Sequence, residues 1–306
     1  MAIIKISRHD SELEKTNIDS YEIEVNEEIT ILDVLLKIKE ELDGSLAFEY
    51  GCKSGLDGSD GINVNKRPVL ASQTNVSKII RDYGSEEILI EPLSNFPIVK
   101  DLIVDKSSLW NSYANTNPYL MERKLKKNEK PVEIKNETIS KISKLNDCNM
   151  CGLCNSSCEI LKIDGEFIGP AILAMSFRQI LDRRDAELKS RIKSLVKNGL
   201  WKCSQFMSCN DVCPREVHPS FAISDIRISD IKNKFSSSGP KYINSSAKEF
   251  RNTGKIRYFS KSKSPIKNSQ QIPIIYDNVE EGENLRKKKL PCYYKEHEDY
   301  AEGYFK

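Results

Sequence analysis

With 306 residues, 39% hydrophobic and 30% charged, the chain is long enough for two domains with separate cores and has the composition of a soluble protein. A formal net charge of +2 offers no general field for nucleic acid or acidic lipid, so partners have to be recognised by shape and local patches. The longest apolar runs, such as Ile168 to Met175, fall far short of the roughly 20 residues of a spanning helix, and the N-terminus lacks the basic segment and apolar core of an export signal.

In chain order, Ile3-Ile4-Lys5-Ile6 and Tyr21 to Val25 alternate as strands, and Ile31 to Leu42 repeats apolar residues at helical spacing. Gly51 to Gly61, rich in Gly, Ser and Asp, reads as a loop. Ile62 to Asn65 and Pro68 to Leu70 read as short strands, and Glu87 to Glu91 as the strand that closes the sheet. From Lys106 to about Lys141 the chain turns polar and basic, a connection with some helix. A second, mostly helical unit runs from Ile142 to Lys232. Pro170 opens a helix through Ile180, Ala186 to Val196 gives another that Asn198-Gly199 stops, and Ser220 to Ile231 supplies a third. Beyond Asn233 the composition shifts to Ser, Asn, Lys and Glu, with a basic run at Arg286 to Lys289.

Seven of the nine cysteines fall into two tight runs, which suits convergence on metal in a reducing compartment better than a disulfide framework. Cys148-x2-Cys151-x2-Cys154-x3-Cys158 has the spacing of a bacterial ferredoxin cluster loop, whose fourth cysteine serves the other cluster. Cys203-x5-Cys209-x3-Cys213-Pro214 is the same loop with Phe206 in place of the middle thiol. Exchanging the fourth cysteines puts Cys148, Cys151, Cys154 and Cys213 around a [4Fe-4S] cluster and Cys158, Cys203 and Cys209 around a [3Fe-4S] cluster. Structural zinc is the competing reading of Cys-x2-Cys, but seven thiolates in these runs have no simple tetrahedral partition.

The cysteine runs, together with Ile31 to Leu35, Asp101 to Asp105, Phe167-Ile168-Gly169-Pro170-Ala171 and Arg183-Arg184-Asp185, resemble the iron-sulfur subunit of succinate dehydrogenase and fumarate reductase, respiratory complex II, over roughly residues 1–232. The resemblance implies an α+β chain: an N-terminal β-grasp domain of the [2Fe-2S] ferredoxin type over 1–105 and an all-α helical ferredoxin domain over 142–232, joined by the connection over 106–141; composition alone marks 233–306 as a charged extension. It further implies an FAD-containing flavoprotein partner, membrane anchor subunits that hold the chain on the inner face of the cytoplasmic or inner mitochondrial membrane, a quinone acceptor, and no substrate chemistry on this chain.

Departures from the family pattern set further expectations. Where the family's [2Fe-2S] loop carries thiolates, this chain has Cys52, Asp57, Asp60 and Ser72. One soft ligand and three hard oxygens read as a cluster that is absent or labile, with the loop kept as a structural remnant. At the quinone end Cys158 is followed by Glu159 and Cys203 by Ser204, which leaves Ser204 and the nearby Trp201 as the candidate quinone contacts. His9, His218 and His297 read as surface or loop residues, and Cys292 as an incidental thiol. Two alternatives stand beside the leading expectation: a subunit of the same build serving a different flavoprotein, and a scaffold stapled by clusters.

Overall fold

Residues 1–10, 15–122, 130–236, 239 and 241 are described by the computed structural model. The N-terminal half is a sheet with strands β1 (Ala2–Asp10), β2 (Lys15–Ile23), β3 (Gly61–Val64), β4 (Arg67–Leu70), β5 (Glu87–Glu91), β6 (Ile98–Lys100) and β7 (Ile103–Val104). The strand order is β4-β3-β5-β1-β6-β7, with β2 also paired to β1. β1 runs antiparallel to β2 along its whole length and parallel to β5, in a register that places Ile4 opposite Ile88 and Ile6 opposite Ile90. Those four side chains are fully buried. Each contributes roughly 2 kcal/mol of apolar burial, which fixes the register because a slip of one residue would turn the whole set toward water. Glu87–Glu91 does not close the sheet as its sequence suggests. It lies inside, parallel to β1 and antiparallel to β3, because both of its edges find partners and its alternating isoleucines face the core.

Helix α1 (Ile31–Lys37) covers this face with Ile31, Leu32, Val34 and Leu35. Thr30 and Asp33 start it as a reciprocal capping box, and it runs on as a π-helical turn to Leu42. A second helix, α2 (Val76–Tyr83), is not apparent in the sequence pattern; Asn75 caps it and Gly84, at φ +63°, ends it. Asp101, buried between strands, accepts from the backbone N–H of Ala47 at 2.9 Å and of His9 at 3.2 Å. It pins the loop after α1 to the end of β1.

The connection contains α3 (Ser107–Ala114) and the start of α4 (Asn136–Asn146). The helical part follows with α5 (Leu153–Ser156), α6 (Glu159–Ile163), α7 (Pro170–Leu181), α8 (Leu188–Lys197), α9 (Ser208–Asp211) and α10 (Pro219–Asn233). α7 is its centre: nearly every residue from Pro170 to Phe177 is buried, and α4, α8 and α10 pack around it. Arg191 on α8 joins the connection to this bundle. Its guanidinium pairs with Asp185 at 2.7 Å, both side chains buried, and donates to the carbonyls of Thr116, Asn117 and Tyr119. Removing Arg191 would strand a buried carboxylate, at a cost of about 3–5 kcal/mol.

The β-grasp and helical parts lie together in one compact unit, Met1–Gly239, while Pro240–Lys306 falls into a second. Cys292, His297 and the basic run at Arg286 to Lys289 lie outside the described residues. Among the described residues no helix is long and apolar enough to cross a membrane.

Candidate metal centres

The two cysteine runs fold as copies of one loop. In the first, Met150 at φ +57° and Gly152 at φ +87° wind the chain into the single turn α5; in the second, Gln205 at φ +59° and Met207 at φ +65° do the same before α9. Directly after Cys154 and Cys209 each loop carries an asparagine. Asn155 Oδ1 accepts from Ala171 N at 3.1 Å in the first turn of α7, and Asn210 Oδ1 accepts from Ser220 N at 3.0 Å in the first turn of α10. Both helices begin with a proline, Pro170 and Pro219, whose missing N–H leaves the next donor for the asparagine. In this internal two-fold arrangement Phe206 occupies the place that Cys151 has in the first loop. The repeated Cys-Asn pairs, 154/155 and 209/210, were the sequence signal for it.

Packing brings the runs across each other. Cys148, Cys151, Cys154 and Cys213 edge one hollow whose walls include Ala171, Ala174 and Val217. Burial raises the thiol of Cys148, pushes that of Cys151 up to about 12 and that of Cys154 far above its ordinary value, and the neighbouring Cys213 adds to the rise in all three. Cys158 and Cys209 belong to a second group with Cys203: burial pushes Cys158 up to about 11 and Cys209 higher, and both feel Cys203. Thiols held this way stay protonated until a cation replaces the proton, which is how iron binding and deprotonation are linked. Among the described residues no three His, Cys, Asp or Glu side chains converge closely enough to share one metal ion. Cys148, Cys151, Cys154 and Cys213 surround a space instead, as donors to a multi-iron core do.

Residues of the β-grasp half grip the first run. Asn95, itself at φ +65°, reaches the carbonyls of Asn155, Ser156 and Cys158 with its amide, at 2.9, 3.2 and 3.0 Å. Ser94 N donates to Ser156 Oγ at 2.9 Å, and Asn149 Nδ2 donates to the Gly55 carbonyl at 3.1 Å. None of these positions stands out in the sequence.

The four positions of the expected [2Fe-2S] loop are placed along the edge of this contact. Cys52 Sγ accepts from the backbone N–H of Leu56 at 3.1 Å and of Asp57 at 3.4 Å. The Ser54 hydroxyl, followed by backbone donors of Asp57, Ser54 and Leu56, holds the thiol below its usual range. Asp57 accepts from Cys52 N, Ser59 N and Ser59 Oγ. Asp60 and Ser72 are buried side by side, with Ser72 N donating to Asp60 Oδ2 at 2.7 Å, while Asp60 Oδ1 and Ser72 Oγ have no protein partner among the described residues. This donor set does not fit a [2Fe-2S] cluster, because three of its four positions are oxygens where sulfide-bridged iron takes thiolates.

At the other end, Trp201 is buried. Its indole N–H donates to Asp230 Oδ2 at 3.0 Å, and the Arg227 guanidinium lies over its ring, 4.9 Å from the centroid. Arg227 also donates to the Leu200 carbonyl and, at 2.6 Å, to that of Cys203. Ser204 follows Cys203 with its hydroxyl buried and without a protein partner among the described residues. His9 faces Thr16 at an exposed strand position, and His218 precedes α10 in a left-handed conformation.

Comparison with known proteins assigns both halves to iron-sulfur families, the N-terminal one in spite of its oxygen-substituted loop. Residues 3–111 match the sequence family described as a 2Fe-2S iron-sulfur cluster binding domain, and residues 144–217 match the family described as a 4Fe-4S dicluster domain. The fumarate reductase iron-sulfur subunit of Mycobacterium tuberculosis (strain CDC 1551 / Oshkosh) is 32% identical over 233 residues, which is 74% of this chain and 91% of that protein. The protein of the same name from Haemophilus influenzae (strain ATCC 51907 / DSM 11121 / KW20 / Rd) is 32% identical over 243 residues, 75% of this chain and 93% of that one. Among solved structures, a chain of the Mycobacterium smegmatis Sdh1 complex in the apo form superimposes with a TM-score of 0.68 at 22% identity, covering 78% of this chain and 98% of that chain.

Proposed function

The chain belongs to the iron-sulfur subunits of fumarate reductase and succinate dehydrogenase, and from that premise we propose that its seven clustered cysteines carry electrons between a flavoprotein subunit and a membrane quinone. The observation that carries this reading is the meeting of Cys213 with Cys148, Cys151 and Cys154 around one hollow, while Cys158, Cys203 and Cys209 form the other group. The first set would hold a [4Fe-4S] cluster and the second a [3Fe-4S] cluster, since Phe206 stands where the fourth thiol would be. Such clusters supply one-electron carriage.

The protein's part is to hold the donors and exclude water. Buried alanines and valine line the first hollow, so little water competes for the thiolates. Asn155 and Asn210 fix the two ligand loops to the starts of α7 and α10. Near Cys203, the Arg227 guanidinium donates to the backbone and places positive charge beside the three-thiolate group, which favours the reduced, more negative state there. The Ser204 hydroxyl is a donor held in the same region, available to a cluster sulfide or to a quinone carbonyl. Trp201, its N–H taken by Asp230, serves as a packed wall of that end and not as a hydrogen-bond donor. The subunit is membrane-associated, and anchor subunits on the inner face of the membrane would supply the attachment.

The test uses the complex purified intact with its co-purifying subunits. Succinate added to the oxidised complex should bleach the electron paramagnetic resonance signal of the three-iron centre, and fumarate should restore it. A three-iron signal that ignores succinate but answers to another reduced substrate would move the chain to a different flavoprotein, the reading that the oxygen-substituted loop at Asp57, Asp60 and Ser72 favours.

A further inference from the structure

The loop from Gly51 to Gly61 is built to close on itself. Several of its backbone N–H groups have acceptors within the chain: Asp57 takes those of Cys52 and Ser59, Cys52 Sγ takes those of Leu56 and Asp57, and Asp60 Oδ2 takes that of Ser72, while Asp60 Oδ1 and Ser72 Oγ are the buried polar atoms left without a protein partner among the described residues. The exposed Asp57 carboxylate folds back against Gly51, where a Cβ would collide with it.

The same loop presses on the first cysteine run. Gly58, at φ +68°, lies so near that a Cβ there would fall 2.7 Å from Cys151 Cβ and 2.9 Å from the Asn149 side chain. The Asn149 amide donates to the carbonyl of Gly55, and a Cβ at Gly61 would stand 3.2 Å from the Leu153 side chain and 3.4 Å from the Cys151 carbonyl. These glycines therefore have a packing reason to be glycine that requires no metal in the loop.

We infer that residues 51–61 with Ser72 form a cluster-free brace for the first cysteine run, and that the relay in this chain consists of the four-iron and three-iron centres alone. This rests on the relay reading above and removes the third centre that the 2Fe-2S domain match of residues 3–111 would supply. The brace holds Cys151 in the position from which it faces the hollow, through Gly58 behind it and Asn149 beside it. Electrons delivered by the flavoprotein then have the four-iron centre as their first acceptor on this chain.

Iron and acid-labile sulfide are counted on the intact complex, per copy of this chain and after subtraction of any metal assigned to other subunits. Four plus three gives seven iron, with eight sulfides, and no [2Fe-2S] spectrum after dithionite reduction. Nine iron with a [2Fe-2S] spectrum overturns the inference. A missing three-iron signal would sink the relay reading instead, and the presence or absence of the [2Fe-2S] spectrum would still decide the loop. The bracing role is read separately. Gly58→Ala and Asn149→Ala should each speed loss of the four-iron signal in air by about two- to tenfold, the equivalent of one lost hydrogen bond, while Gly84→Ala, in open space at the end of α2, leaves the rate unchanged. Unchanged rates in both brace variants would refute it.

Discussion

The amide of Asn95 donates to the carbonyl of Cys158 at 3.0 Å, joining the β-grasp half to the last cysteine of the first run. That carbonyl precedes α6, and the same amide reaches the carbonyls of Asn155 and Ser156 at the end of α5. One side chain thus closes the turn on which Cys154 and Cys158 part toward separate groups. With Asn149 on the opposite side, the ligand loop is held at both ends by polar contacts to the sheet domain.

Asn95→Ala should lower stability by about 1–3 kcal/mol, because it leaves carbonyls without a donor in a partly buried contact. Chemical unfolding of the complex-bound chain, followed by cluster absorbance, reads this directly. Asn95→Asp should be at least as damaging, since a carboxylate faces carbonyl oxygens there. An unchanged midpoint in both variants would show that the contact contributes nothing.

Phe206→Cys restores a thiol at the counterpart of Cys151. The three-iron signal of the oxidised complex should disappear and a second four-iron centre should take its place, with iron rising by one per chain. Persistence of the three-iron signal would mean that position 206 does not face the second cluster.

Asp225 on α10 is pushed up to about 7 by burial, against the opposing pull of Lys141 and Lys232. Its folded value lies above the unfolded one, so between about pH 4 and pH 7 the folded state binds more protons. Stability from this group is therefore greatest at the acid end and falls as the pH rises through about 7. Asp225→Asn should flatten the decline in melting temperature between about pH 4 and pH 7, and an identical slope in the variant would exclude the residue as its source.

How much of this was written in the sequence depends on where each contact lies along the chain. The ligand runs are legible because a cluster loop takes its first three thiols from one short segment, and the offset of Phe206 is visible by counting. β1, β3, β4, α7 and α10 follow from apolar periodicity and proline positions, whereas β2 (Lys15–Ile23) is legible only in its end from Tyr21, because its earlier residues are polar. Glu87–Glu91 misleads, since alternation shows that one face is buried but not that both edges are paired. α2 escapes notice because its eight residues bury little beyond Val76 and Ile79. Asn95, Asn149 and Arg191 were invisible for a different reason: they act on backbone carbonyls that only tertiary packing brings within reach. The degenerate loop was legible as a loss of thiolates, while its internal acceptors arise only from the way the loop folds back on Cys52 and Asp57.

The central claim is that Cys213 completes the group begun by Cys148, Cys151 and Cys154, across the two runs. Electron paramagnetic resonance of Cys213→Ala and Cys203→Ala complexes tests it most directly. Cys213→Ala should lose or perturb the reduced four-iron signal while the oxidised three-iron signal persists, and Cys203→Ala should do the reverse. If Cys213→Ala abolishes the three-iron signal and spares the four-iron one, the crossed partition is wrong.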